Sequence, residues 1–353
     1  MGNCYYYGEG VSKDFQEAVN WYRKAAEQGD DDAQYSLGWC YYNGEGVTKD
    51  FQEAVKWFRK AAEQGNDLAQ DHLGDCYYFG NGADKDLQEA VKWYRKAAEQ
   101  GDADAQYSLG CCYYNGEGVT KDFQEAVKWY RKAAEQGNAD AQYNLGYLYW
   151  KGEGVTKDFQ EAVKWYRKAA EQGNGEAQNN LGVSYAKGYG VTKDLQEAVK
   201  WFRKAAEQGN AHAQISLGNR YYKGEGVSRS SQEAVKWYRK AAEQGDADAQ
   251  NSLGYCYLHG DGVDENYTLA VKWFRKSALK GNSNAQCSLG YCYAMGYGVA
   301  KNYQEAVKWY RKSAGQGNTK AQRSLANCYA YGRGVPKNQA KADYWYQKAN
   351  EGE

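Results

Sequence analysis

The chain has 353 residues, with 45 basic and 45 acidic side chains, 41 glycines, 35 tyrosines and a single proline. A mean hydropathy of −0.94 with no long apolar run excludes a membrane-spanning helix, and zero net charge gives no electrostatic case for nucleic acid or an anionic membrane surface. One isoleucine (Ile215) and modest valine starve a strand-rich fold, while an aromatic content of 16% argues against disorder.

The opening stretch, MGNCYYYGEG, has neither the basic start nor the apolar run of a signal peptide. From there the glycines are periodic. Four columns, beginning at Gly2, Gly8, Gly10 and Gly29, hold 38 of the 41 glycines at a spacing of 36. Trp21, Trp57, Trp93 and onward to Trp345 keep the same period. A fixed period in this range marks a solenoid, so the chain reads as one array over 1–353 without linkers. Residues 1–29 form an incomplete first repeat, full repeats run from 30 to 317 in steps of 36, and 318–353 form a divergent last one.

Residues 30–65 show one repeat. Asp30 suits a helix N-cap, and helix A runs from about Asp31 to Asn43 before Gly44, a left-handed C-cap. The loop GEGVTK follows, and Asp50 caps helix B with Glu53 in capping-box register. Helix B closes at Gly65. Its Phe51, Ala54, Val55, Trp57, Phe58, Ala61 and Ala62 share one arc, and the charged residues take the other, solvated side, with Arg59 and Glu63 as i,i+4 partners. On helix A, Ala33, Leu37, Cys40 and Tyr41 form the packing stripe. Gly38 implies a close helix–helix approach, and Gln34 a buried amide bonding a turn backbone.

The spacing Ala-x3-Leu-Gly-x2-Tyr, the GEGV loop and Ala-x2-Trp-[Tyr/Phe]-x2-Ala-Ala-x2-Gly resemble the Sel1-like repeat, a 36-residue relative of the tetratricopeptide repeat. The resemblance covers the whole chain in about nine and a half copies. It implies an all-α, right-handed α-solenoid of helix-turn-helix repeats with helices A lining the concave face. It also implies a non-enzymatic interaction scaffold, of the kind that serves as an adaptor in signalling, protein quality control and bacterium–host contact.

Further along, residues 103–138 and 139–174 differ at five positions, Ser108/Asn144, Cys111/Tyr147, Cys112/Leu148, Tyr114/Trp150 and Asn115/Lys151, all in helix A. The columns of Tyr35 and Trp39 vary most across the array, and with those of Asp32 and Tyr42 they lie on one arc opposite Leu37. Packing fixes the other faces and leaves this one free. This arc is expected to be a groove for a protein or peptide partner, lined by Tyr35, Trp39, Tyr42, Tyr78, Tyr107, Tyr114, Tyr143, Tyr147, Trp150, Tyr255 and Tyr291. Inter-repeat packing is the competing reading, above all for the Tyr42 column. Asp32, Asp104, Asp140 and Glu176 edge the arc, where a first-turn carboxylate also suits the helix dipole.

Seven of nine cysteines share the Cys40 column, where neighbours ~8–10 Å apart exceed the ~7 Å reach of a disulfide. Free thiols and a reducing, cytoplasmic compartment are expected, with delivery into a host cell left open. His72, His212 and His259 are isolated, so no metal or cofactor is expected. The GEGVTKD loop places an aspartate where a phosphate would bind. Some relatives have been described as penicillin-binding or β-lactamase-like. Here Ser-x-x-Lys occurs at Ser184–Lys187 and Ser277–Lys280 without its companion motifs, and no enzyme is expected. At the far end, Trp345 and Tyr346 persist although the pattern decays, so weak head-to-tail self-association through uncapped ends is expected. The competing function is a self-assembling or spacer array without a dedicated ligand, and a host-directed bacterial effector or signalling regulator of the Sel1-like type stands third.

Overall fold

A computed structural model describes residues 1–351, which form twenty α-helices and, among the described residues, no strand. The chain divides into two units, Met1–Ala177 and Gln178–Glu353. The first holds α1 (Gly2–Tyr7), α2 (Phe15–Glu27), α3 (Asp31–Asn43), α4 (Phe51–Gln64), α5 (Asp67–Phe79), α6 (Leu87–Gln100), α7 (Ala103–Asn115), α8 (Phe123–Glu135), α9 (Ala139–Lys151) and α10 (Phe159–Glu171). The division falls inside α11 (Gly175–Lys187). The second unit continues with α12 (Leu195–Glu207), α13 (Ala211–Lys223), α14 (Ser231–Glu243), α15 (Ala247–His259), α16 (Tyr267–Leu279), α17 (Ser283–Met295), α18 (Tyr303–Gly315), α19 (Thr319–Tyr331) and α20 (Gln339–Glu351). Odd-numbered helices are A and even-numbered ones B. Each unit is an all-α solenoid segment.

Local chemistry sets the helix ends. Asp50 Oδ1 accepts from the Glu53 N–H at 3.0 Å, as expected of an N-cap. The reciprocal half of the capping box is replaced by a bond to the preceding helix A and an i,i+3 ion pair. The Asp50 N–H donates to the Tyr41 carbonyl at 2.9 Å, and the Glu53 carboxylate pairs with Lys56 at 2.8 Å. Gly44 ends α3 at φ 80°, donating to the Cys40 carbonyl. A Cβ at Gly46 (φ 70°) would overlap the Phe15 carbonyl at the start of the preceding helix B, so a side chain there would push the loop off its neighbour.

Two residues set the spacing within a repeat. A Cβ on Gly38 would lie 2.7 Å from the Phe58 ring, so the glycine allows α3 and α4 to close on each other. Between repeats the tryptophans act as wedges. Trp93 belongs to α6 but is buried in the core of Ala54, Phe58, Ala69, Leu73 and Cys76, and Trp129 and Trp165 do the same one and two repeats later. Burying most of such a ring is worth roughly 2–3 kcal/mol. Lys96 covers the outer face of Trp93 with its Nζ 3.8 Å from the ring centroid.

Two further clamps repeat along each unit. Gln70 Nε2 donates to the Ala62 carbonyl at 3.0 Å while its Oε1 accepts from Gln100 at 2.8 Å, so the buried amide joins three helices. Where Lys280 replaces that second glutamine, Gln250 Oε1 is left buried without a partner. Arg59 turns to the Tyr77 hydroxyl rather than to Glu63, and Arg95 donates to Tyr113 at 2.6 Å. The i,i+4 pair read from spacing is therefore replaced by an inter-repeat bond, because the guanidinium reaches the next helix A across the B face.

Candidate functional site

The arc of helix A opposite Leu37 carries the eleven aromatic residues singled out above, and it treats them differently. Tyr35 lies against Phe58, its ring centroid 5.9 Å away, and edge-on to His72 at 5.6 Å. Trp39 stacks on Tyr42 at 6.2 Å and meets His72 edge-on at 4.9 Å. Tyr107 and Tyr143 pair with the helix-B rings of Tyr130 and Tyr166 at 5.9 and 6.0 Å. Tyr147 stacks on Trp150 at 6.4 Å. In the second unit Tyr255 and Tyr291 are 46% and 39% exposed, more open than their half-buried counterparts in the first.

The Tyr42 column is a stacking column in part. Tyr42 packs edge-on against Phe51 at 5.0 Å and accepts from Asn81 of the next loop. Tyr78 donates to Glu117 at 2.6 Å, and Tyr222 to Asp261 at 2.8 Å, each one repeat on. Tyr114 and Trp150 lean on Phe123 and Phe159, whose rings start the following helix B.

The Trp39 column is not free of packing constraint, contrary to the sequence expectation. Tyr22 donates to Asn3, Tyr94 to Asp75, Tyr238 to Asn219 and Tyr346 to Asn327, all at 2.7 Å, and Tyr130 donates to Cys111 Sγ at 3.3 Å. Where helix B has Phe58, Phe202 or Phe274 instead, the equivalent positions are Trp39, Val183 and Tyr255. A buried hydroxyl needs an acceptor and a phenyl ring does not, so part of the variation follows the partner helix. Tyr147 and Tyr291 depart from this rule, since each shares its repeat with a helix-B tyrosine.

The acidic edge has a similar logic. Asn66, Asn138 and Asn282 each cap a helix A and donate Nδ2 to Asp32, Asp104 and Asp248 of the preceding one, at 3.0, 2.8 and 2.7 Å. Where the cap is Asp102 or Asp246, which has no donor, the preceding residue is Leu68 or His212. Pairing of cap and acid was legible in the sequence as a covariation 34 residues apart.

Two clefts open on this face within the first unit. One, of about 290 Å³, lies between α7 and α9, with Cys111, Tyr114, Asn115, Asn144, Tyr147 and Leu148 in its wall beside Tyr130 and Tyr143. It brings together three of the expected residues, Tyr114, Tyr143 and Tyr147. Another, of about 430 Å³, lies at the start of the unit and is lined by Tyr35 and Trp39 with Tyr6, Tyr7, Tyr22 and Asp32. Tyr6, Tyr7 and Tyr22 were not expected here, because they belong to the incomplete first repeat. The remaining expected residues line neither cleft.

Electrostatically the face is unusual at one point. Asp71 takes the position of Tyr35 one repeat on, is only 7% exposed, and has no hydrogen-bond partner for Oδ1. Burial, with Asp75, Asp102 and Asp104 nearby, pushes its carboxyl up to about 8. The thiols show no activation. Burial pushes Cys40, Cys76 and Cys112 up to about 12 and also raises Cys111, the opposite of what a nucleophile requires. All nine cysteines are free. The Ser277 hydroxyl donates to the Ala247 carbonyl at 2.6 Å, and that of Ser184 to the Asn180 carbonyl at 2.9 Å, which ties up both serines of the Ser-x-x-Lys pairs. No helix among the described residues is long and apolar enough to cross a membrane.

The repeat geometry matches a known family. The Sel1 repeat model fits ten consecutive segments, from 1–30 and 31–66 through to 319–352. The chain belongs to the Sel1 repeat family. Among solved structures it is 41% identical to c5321, a protective antigen of uropathogenic Escherichia coli with an SLR fold, covering 99% of this chain and 82% of that one with a TM-score of 0.61. It is 40% identical to a Sel1 repeat protein from Oxalobacter formigenes, over 69% of this chain and 96% of that one, with a TM-score of 0.64. A signal-transduction ATPase with a tetratricopeptide-repeat sensor from Pyrococcus horikoshii shares the fold at 14% identity, over 92% of this chain and 52% of that one, with a TM-score of 0.53. No curated protein matches the chain significantly. Sel1 repeat proteins are generally scaffolds that bind protein partners, and the family is typically non-catalytic.

Proposed function

We propose that this chain is a non-enzymatic interaction scaffold that holds an extended protein segment against the helix-A face of its first unit. One observation carries the reading. Six of the eight residues around the 290 Å³ cleft are at the positions where the otherwise identical repeats 103–138 and 139–174 differ. Packing accounts for Leu148, which is buried, and for Cys111, which accepts from Tyr130, but not for the divergence of all six around one cavity. The tyrosines there offer large, rigid contact area at low entropic cost, as interface hot spots do.

The test exploits the repeats themselves. Asn144→Ser, Tyr147→Cys, Leu148→Cys, Trp150→Tyr and Lys151→Asn together copy the neighbouring repeat, whose sequence already folds in this array. Peptides of about a dozen residues selected from a random display library on the full chain are expected to lose affinity at least tenfold, roughly 1.4 kcal/mol, on the copied variant with helical circular dichroism unchanged. Unchanged affinity would overturn the assignment to this cleft. A selection that returns nothing would favour a spacer array.

A further inference from the structure

The cleft at the start of the first unit has a chemistry of its own. Five rings line it, Tyr6, Tyr7, Tyr22, Tyr35 and Trp39, and Asp32 is the one charged side chain in its wall. Tyr7 is 65% exposed, so its ring is open to a ligand. Ring faces hold an ammonium or guanidinium group lying within ~6 Å of their centroids, and an adjacent carboxylate supplies the counter-charge. On the next helix A, Asp71 is buried with Oδ1 lacking a hydrogen-bond partner.

The wider face agrees. Helices α1, α3, α5, α7 and α9 carry seven aspartates against Lys151 and the imidazole of His72, whose ring meets Tyr35 and Trp39 edge-on. In the second unit, α13, α15, α17 and α19 carry Arg220, Lys223, Lys320 and Arg323 against Asp248. The balanced total of 45 basic and 45 acidic residues therefore conceals a segregation of sign along the helix-A faces.

Resting on the binding reading above, we propose that the partner segment is basic, with a lysine or arginine side chain seated among Tyr7, Tyr35 and Trp39 beside Asp32. Charge complementarity selects this occupant. An acidic segment would meet Asp32 as like charge in this wall, and a purely apolar one would strip water from that carboxylate and leave it the neutral Asn66 amide in place of a counter-charge.

The same display selection on the full chain reads this out. Enriched peptides are expected to contain lysine or arginine, to weaken as salt rises, and to lose about tenfold in affinity with Asp32→Asn. A second variant, Trp39→Val, removes the ring while keeping the pairing that Val183 already makes in a repeat whose helix B has phenylalanine, and a similar loss is expected. Enriched peptides without a basic residue, or basic peptides indifferent to both variants, would overturn the proposal and leave the scaffold reading standing. No enrichment above a scrambled-library control would overturn both.

Discussion

Replacing Asp71 by asparagine removes one charge and changes almost no volume, so it isolates the energetics of a buried carboxyl. In the folded chain this group holds its proton up to about pH 8, chiefly because burial disfavours the anion and secondarily because Asp75, Asp102 and Asp104 repel it. In the unfolded chain it returns to an ordinary value near 3.8. The folded state therefore binds more protons than the unfolded state between those two values, and stability falls as pH rises through that window, levelling off above it. At 1.36 kcal/mol for each tenfold change in proton affinity, the full gap corresponds to at most ~5–6 kcal/mol. Rotation of the ionised side chain toward water relieves part of this, and ~2–3 kcal/mol is expected to remain. Asp71→Asn should match the parent chain near pH 4, where the protonated acid and the amide are close in shape, and exceed it by ~2–3 kcal/mol near pH 9. Urea titrations followed by circular dichroism at both pH values give the comparison as the difference between two midpoints, in which contributions from the other carboxyls largely cancel. Parallel pH profiles for the two chains would refute the reasoning, since they would mean that Asp71 is ionised in the fold at no cost.

Three other outcomes follow from the packing. Gly46→Ala should cost more than ~2 kcal/mol because its Cβ meets the Phe15 carbonyl, whereas Gly65→Ala, also at positive φ but facing open space, should cost about 1 kcal/mol, both read from urea midpoints. Asn66→Asp should destabilise by about 1 kcal/mol by placing two carboxylates at the 3.0 Å contact with Asp32, and adding Asp32→Leu should restore most of the loss, since Leu68 already precedes Asp102; a double-mutant cycle without coupling would remove the cap–acid rule. Thiol titration should find all nine cysteines in denaturant but leave the buried Cys40, Cys76 and Cys112 unreactive in the native chain, and fast native reaction at those three would contradict their raised pKa.

The sequence alone determined the helices and their stops, because those depend on neighbours a few residues apart. The bounds of α3 and α4 follow from the caps at Asp30 and Asp50 and the glycines at Gly44 and Gly65. The core stripe of Ala33, Leu37 and Cys40 and the burial of the Gln34 amide were equally legible, since periodicity turns each repeat into a control for the others, whereas the amide bonds the Ala26 carbonyl inside α2 and Gln64 rather than a turn. Tertiary structure decided what lies across a gap of one repeat. Arg59 reaches Tyr77 instead of Glu63, Tyr78 reaches Glu117, and Asn66 reaches Asp32, because stacked helices bring residues 18, 39 and 34 positions apart into contact. Part of the variable arc thereby became framework. The clefts were also beyond the linear reading, since a cavity is a property of the surfaces that enclose it. Tyr114, Tyr143 and Tyr147 share one cleft with Cys111 and Leu148, while Tyr35 and Trp39 meet Tyr6, Tyr7 and Tyr22 in the other. Composition reported a neutral chain and the repeat columns put Asp32 at the edge of an aromatic arc; only the tertiary structure gathered Asp32 with five rings in one cleft and buried Asp71.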